Sequence, residues 1–351
     1  MIRFLPTTLL FIPLSIIAEI LHWGPLVQFL LAAMAILPLA VYMGFATEEL
    51  ALYTNPKVGG FLNATFGNAT ELIIALFALK QGLFDVVKAS IVGSILGNSL
   101  LVLGASMFAG GLKNGVQGFG KKTVDFSSTM LTFSVIGLCI PAIFLHAVRP
   151  ELVDTWEYEP LSLLIAVVML IIYLMGLYFS FKTNHDLFGT EGHEEVLPKW
   201  SLRKAISVLV GATLFIAWES EILVGAIKPV TQSININPFF VGIIIIPLIG
   251  NAAEHSTAVW MAIKNKMDIA TEIAIGSSLQ IALFVTPCLV IVGALINRTM
   301  SLIFNIFEIA SLIVAVIIVN RVAGDNESNW LEGLQLLAVY IIVAVCFLWI
   351  R

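Results

Sequence analysis

The chain has 351 residues, of which 59% are hydrophobic and 12% charged, and its mean hydropathy is +0.99. Soluble globular domains carry about 25% charged residues, so a soluble fold is excluded and a polytopic helical membrane protein is expected. The formal net charge of −5 matters less than how the charges are distributed, and no nucleic-acid partner is expected.

Roughly 20 apolar residues cross a hydrocarbon core as a helix. On that ruler the chain divides into eleven spans: 6–22, 25–48, 58–79, 86–109, 124–147, 160–181, 202–226, 238–262, 268–295, 300–319 and 330–350. The first follows Arg3 and resembles a signal peptide from Phe4 to Ala18, but Ser15-Ile16-Ile17-Ala18-Glu19 is a poor cleavage site, so a retained span is expected. Breaks fall at turn-rich or charged stretches such as Gly110-Gly111-Leu112-Lys113-Asn114-Gly115 and Gly324-Asp325-Asn326. Trp23, Trp156, Trp200, Trp260, Trp330 and Trp349 sit near span ends, as an interfacial belt requires, and Trp218 is the exception. Cys139, Cys288 and Cys346 lie in apolar runs without metal-ligand spacing and read as packing residues.

Loop charges orient the spans. One side collects Arg3, Lys57, Lys113, Lys121, Lys122, Lys182, Lys199, Arg203, Lys204, Lys264, Lys266 and Arg321; the other collects Lys80, Lys88, Arg149, Lys228, Arg298 and Arg351. Twelve against six makes the first side cytoplasmic. The N-terminus is then cytoplasmic and the C-terminus extracytoplasmic. The acidic connector 182–200, with its cluster at 185–195, is cytoplasmic too.

The strongest organisational signal is duplication. Gly67-Asn68-Ala69-Thr70-Glu71 recurs 183 residues later as Gly250-Asn251-Ala252-Ala253-Glu254, followed by His255, and Gly93-Ser94 matches Gly276-Ser277 at the same offset. Spans 2–6 and 7–11 are therefore read as two repeats. Five spans is an odd number, so the repeats insert with opposite orientation, the construction of secondary transporters whose site lies at the midplane. The expected fold class is an all-α polytopic membrane protein: eleven transmembrane helices, two five-helix inverted-topology repeats and an extra first helix. Its parts are 1–24 (first span), 25–181 (first repeat), 182–200 (connector) and 201–351 (second repeat).

Each motif carries a carboxylate inside an apolar span, where a charge is disfavoured by at least roughly 2.5–3.5 kcal/mol. Glu71 and Glu254 are the expected ion-binding and proton-exchanging residues. Asn68 and Asn251, three residues earlier, share a helix face with them. Gly67 and Gly250 allow close backbone approach, and Thr70 adds a hydroxyl in the first copy. This is a hard-oxygen inventory that suits calcium, with Glu71, Glu254, Asn68 and Asn251 as candidate metal ligands. The Cys or His clusters that softer metals require are absent. Ser94, Asn98 and Ser99 in span 4, and Ser277, Ser278 and Gln280 in span 9, face either the ion or a neighbouring helix. His255 is expected to tune the site. Glu48, Glu49, Glu219 and Glu221, near the ends of spans 2 and 7, read as vestibule residues serving opposite faces. Two carboxylates are neutralised by one divalent cation or by protons, because removal from water favours the neutral acid. Cation and protons therefore compete for the same oxygens.

The two motifs resemble the paired motifs of the calcium/cation–proton antiporter family, within the calcium/cation exchanger superfamily. The resemblance extends to eleven spans, inverted repeats and an acidic connector. It implies a secondary transporter exchanging cytoplasmic Ca2+ for H+ in a prokaryotic plasma membrane. It also implies that Glu71 and Glu254 are essential, that Asn68 and Asn251 assist them, and that Gln280 lies nearby. The Ser/Thr- and Pro-containing motifs typical of sodium–calcium exchangers do not occur. Two alternatives stay open: a sodium-coupled exchanger of the same fold and a passive cation channel. An enzyme is not expected, since HExxH is lacking and His255 and Ser256, though adjacent, are not thereby a catalytic pair. Ca2+ and H+ are cargo, no cofactor is expected, the lipid bilayer is the surrounding partner, and a homo-oligomer is compatible.

Overall fold

In hydrocarbon every backbone donor and acceptor must be satisfied internally, and a helix does this within one segment. The computed structural model describes residues 5–54, 56–148, 159–182 and 197–349, so the acidic cluster at 185–195 lies outside the described residues. Two short helices lead, α1 (Leu5–Thr8) and α2 (Phe11–Ile20), followed by the long α3 (Pro25–Ala51). Helices α4 (Pro56–Phe66) and α5 (Ala69–Lys80) follow, and α6 (Phe84–Leu96) passes through a π-helical stretch, Gly97–Val102, into α7 (Leu103–Asn114). Then come α8 (Lys121–Val148), α9 (Glu159–Lys182) and α10 (Leu202–Ile234). The single turn α11 (Pro238–Phe240), a π-helical stretch Val241–Ile245 and α12 (Ile246–Gly250) lead to α13 (Ala252–Ile263). Helix α14 (Met267–Gln280) continues through a third π-helical stretch, Ile281–Val285, into α15 (Thr286–Leu295), before α16 (Ile306–Ala323) and α17 (Trp330–Leu348).

Among the described residues eight helices are long and apolar enough to cross a membrane, or nine if α12 and α13, bent by 60°, count as one span. The remaining expected spans are interrupted. Span 6–22 is α1 and α2, and span 58–79 is divided at Gly67 and Asn68. The expected span 300–319 begins later, at Ile306. Asn305 there accepts from the Glu308 amide at 2.8 Å while the Glu308 carboxylate accepts from the Asn305 amide at 2.7 Å. That reciprocal capping box fixes a helix start more firmly than hydropathy does, and Met300 to Phe304 runs buried but non-helical before it. Of the three cysteines, Cys139 is buried, Cys288 partly buried and Cys346 exposed, and all are free.

Helices α3 and α10 lie antiparallel along one another. The Tyr53 hydroxyl donates to the Trp200 carbonyl at 2.6 Å, the Trp200 amide to Glu49 Oε2 at 2.9 Å, and the Thr213 hydroxyl reaches Met43 sulfur at 3.8 Å. At another edge, β1 (Gln117–Gly118) pairs antiparallel with β2 (Glu327–Ser328). Gln117 Nε2 donates there to the Ala262 carbonyl at 3.0 Å and to Asn265 Oδ1 at 2.8 Å, tying the α7–α8 loop to the α13–α14 turn.

The closest helix approach is built on glycine. Gly93 of α6 touches the backbone of Ile243, where a Cβ would overlap it; a Cβ on Gly242 would stand 2.8 Å from the Val86 carbonyl and 2.9 Å from Ala89 Cβ. The residues 183 positions from this pair behave differently. Gly276 has nothing within 4 Å of its would-be Cβ, and Gly59 packs on Ala51 of α3, with its would-be Cβ at 3.2 Å. Gly93→Ala is therefore expected to destabilise the protein by about 1–3 kcal/mol through overpacking, while Gly276→Ala is tolerated. Thermal unfolding of the two variants in detergent checks the contrast.

Candidate functional site

Helices α5 and α13 each begin inside an apolar region, immediately after an asparagine outside helical geometry: Asn68 at φ −99°, ψ 16° and Asn251 at φ −104°, ψ 12°. Both helices are 12 residues long and carry their glutamate in the first turn. A helix start offers unpaired backbone N–H groups and the positive end of the dipole. Each break therefore places Glu71 or Glu254 where the fold favours negative charge.

The two motifs pack into one another. A Cβ on Gly67 would stand 3.4 Å from Glu254 Oε1, and a Cβ on Gly250 3.4 Å from Glu71 Cβ. Each glycine thus lies against the other copy's glutamate. The Ser94 hydroxyl of α6 donates to Glu71 Oε1, and the Ser277 hydroxyl of α14 donates to Glu254 Oε2 at 2.7 Å. Each serine lies 23 residues after its glutamate. Asn251 Nδ2 lies 3.1 Å from Glu71 Oε2, 3.2 Å from Ser94 Oγ and 3.2 Å from the Pro247 carbonyl. Asn68 Nδ2 donates to Gln280 Oε1, His255 Nε2 stands 3.2 Å from Asn98 Oδ1, and the Ser99 and Ser278 hydroxyls meet at 3.0 Å. Thr70 is buried in the first turn of α5 and makes no hydrogen bond with these groups.

The structure thus brings every candidate site residue except Thr70 into contacts among the two motifs, α6 with its π-helical continuation, and α14; one π-helical stretch begins at Gly97, three residues after Ser94, and another at Ile281, four after Ser277. Such insertions loosen a helix near functional sites. They were not legible in the sequence. The pairing of Ser94 with Glu71 was not legible either, although the shared offset of Ser94 and Ser277 could have separated them from their neighbours. Glu219, expected at a vestibule, is instead fully buried, and Glu49 binds the Trp200 amide.

No ion pair reaches Glu71 or Glu254 among the described residues. Asn68 Oδ1 is buried without a donor; a buried carbonyl oxygen in that condition costs stability unless something occupies it. No group of three or more His, Cys, Asp or Glu that could hold a metal occurs among the described residues. The oxygens on offer are thus two carboxylates with amide and hydroxyl oxygens, a set that suits a hard cation. Glu71 is buried, whereas Glu254 is only partly so. A cavity of about 390 Å³ lined by His255, Ser256, Val259, Trp260 and Ile263 runs along α13 beside it.

The sequence profile of the sodium/calcium exchanger protein family matches residues 24–182 and 204–349. The chain belongs to this family. Its exchanger relatives include a Ca(2+)/H(+) antiporter of Synechocystis, 45% identical over 97% of this chain and 95% of that one. The Ca(2+)/H(+) antiporter ChaA of Bacillus subtilis is 43% identical over 96% of each chain. The crystal structure of the selenium-substituted Ca2+/H+ antiporter protein YfkE superimposes with a TM-score of 0.85 at 40% identity, covering 99% of both chains. In this exchanger fold Asn251 links the two halves, since it sits on one motif and holds the carboxylate of the other. Asn251→Ala leaves Glu71 Oε2 without that donor, and the expected cost is about 1–3 kcal/mol, read as a lowered midpoint in thermal unfolding.

Proposed function

We propose that the chain is a secondary active transporter that exchanges cytoplasmic Ca2+ for H+ by alternating access. Glu71 and Glu254 bind the two competitively, and Asn68 and Asn251 supply further oxygens. The observation that carries this reading is the reciprocal packing of the two motifs. Each glutamate packs against the other copy's glycine in an apolar interior, with hydroxyl or amide partners and no ion-pair partner among the described residues. Such a pair is costly when fully charged and bare, and either one divalent cation or protons relieve the cost. Relatives at 43–45% identity over nearly their whole length are Ca(2+)/H(+) antiporters, which supports protons rather than sodium as the counter-ion.

The finer architecture belongs to the same proposal. Eleven spans in two inverted five-helix repeats plus a first helix account for the paired breaks, paired serines and antiparallel α3 and α10. The repeats are 25–181 and 201–351, joined by the connector 182–200. Loop charges put the N-terminus in the cytoplasm and the C-terminus outside. On that orientation the gap at Gly276 and the cavity along α13 both lie on the cytoplasmic half, the side of Lys264 and Lys266. The contact of Gly93 with Ile243 closes the other half. Such an arrangement is open to the cytoplasm, from which calcium is taken.

In proteoliposomes an imposed pH gradient is expected to drive Ca2+ uphill. Glu71→Gln and Glu254→Gln each abolish this flux while the protein elutes and melts as a folded species. Uptake that follows a sodium gradient and ignores pH would instead support a sodium-coupled exchanger, and flux only down the calcium gradient would support a channel. A second expectation concerns the open half. If α4 closes on α14 as the Val241–Ile245 stretch closes on α6, Gly276→Val leaves the melting temperature near wild type and lowers exchange at least about tenfold, a barrier increase of about 1.4 kcal/mol. Unchanged exchange in Gly276→Val would contradict this closing contact.

A further inference from the structure

Outside the midplane site, the seam between α2 and α10 buries another carboxylate. Glu219 is 0% exposed and neither of its oxygens has a hydrogen-bond partner. Ser15 of α2 and Ser220 are also 0% exposed, and both hydroxyls lack partners. Ser15 and Glu19, four residues apart and so on one face of α2, are the groups that act on Glu219. Glu19 Oε2 accepts from Trp218 Nε1 at 3.3 Å, which holds α2 against α10.

An ionised carboxylate so placed costs several kcal/mol unless it is compensated. A base, a metal ion or a proton can compensate it. Facing groups among the described residues exclude the first. Helix α2 brings only Ser15 and Glu19. Helix α3, beside α10, has no carboxylate or basic residue from Phe29 to Ala46, only Tyr42. Helix α5 carries Glu71, which is engaged by Ser94 and Asn251, and the exposed Lys80 at its C-terminal end, and α11 has no ionisable residue. A metal would find only the oxygens of Glu219, Ser15, Ser220 and Glu19, whose Oε2 already accepts from Trp218, fewer than the roughly six to eight that a hard cation such as calcium takes. A proton remains. A protonated carboxyl both donates and accepts, so one added hydrogen serves Glu219 and the orphaned Ser15 hydroxyl together.

We propose that Glu219, with Ser15 and Glu19 across the α2–α10 seam, is a proton-binding site separate from the midplane pair, and that the seam closes fully only with the proton bound. The first span then has a definite role, because its helix α2 covers this acid from the surrounding apolar phase. Loss of the proton places a charge under α2 and weakens its hold on α10.

The test uses the full-length purified protein carrying Glu71→Gln, Glu254→Gln and Glu308→Gln, so neither the midplane acids, the other buried carboxylate nor transport contributes. Infrared difference spectra across a pH series are expected to show a protonated-carboxyl carbonyl band that disappears on the alkaline side. Adding Glu219→Gln removes that band. The melting temperature falls over the same pH range with Glu219 present and not in Glu219→Gln. Ser15→Ala, which keeps the acid, shifts the pH at which the band disappears and covers the case in which Glu219→Gln fails to fold. The proposal is overturned if the band survives Glu219→Gln or is absent before it, or if Ser15→Ala titrates as its parent does. It is also overturned if stability follows added Na+ or Ca2+ in place of pH.

Discussion

Two carboxylates in an apolar interior, with no ion-pair partner among the described residues, constrain the structure around them. Glu71 and Glu254 come from parts of the chain 183 residues apart, and neither could remain there ionised and bare without a penalty of several kcal/mol. The fold meets part of that penalty in three ways. It breaks a helix before each acid, so that free N–H groups and the dipole face the charge. It aims a serine hydroxyl at each carboxylate, and it hangs Asn251 between Glu71 and Ser94. None of these supplies a full positive charge. On the proposed reading, that residual imbalance gives the site its appetite for a cation or for protons.

The glycines follow from the same constraint. Acids on two separate helices can share one ligand only if the backbones approach closely. Gly67 lies against Glu254, and Gly250 lies against Glu71. A Cβ at either position would meet the other copy's glutamate at 3.4 Å, an ordinary van der Waals contact, so anything larger would press on it. The glycine of each motif thus sets how closely the acid of the other copy can lie.

Much of this was legible because it is written locally. The repeated Gly-Asn-Ala-x-Glu, the matched Gly-Ser pair and the hydropathy point to the membrane class and to residues that the structure brings together. Less legible were features that depend on which helices touch. Hydropathy in a membrane protein is high on every face, so it carries no phase and cannot say that Ser94 aims at Glu71 or that Gly93 meets Ile243. The start of α16 is hidden because the apolar run 300–304 outweighs Asn305 and Glu308, although a capping pair three residues apart is there to read. Glu219 reads as a water-facing residue because it sits late in its span. Only the position of α2 shows that it is covered.

The two halves share landmarks but not packing, and that difference bears on how the site changes sides. Gly242 is pressed on α6, while Gly59, its counterpart 183 residues earlier, rests on α3 and leaves Gly276 open. Interfaces of this kind tend to be bistable, holding one of two packings rather than a continuum. On the proposed reading, closing the second interface would seal both carboxylates from water. Sealing them bare carries the full cost of an uncompensated charge pair, and sealing them around a divalent cation or protons does not. The population of the sealed state, and hence passage to the other side, then depends on differential stabilisation by the occupant. Coupling needs no further part: the charge that makes the site bind also forbids the empty site from crossing.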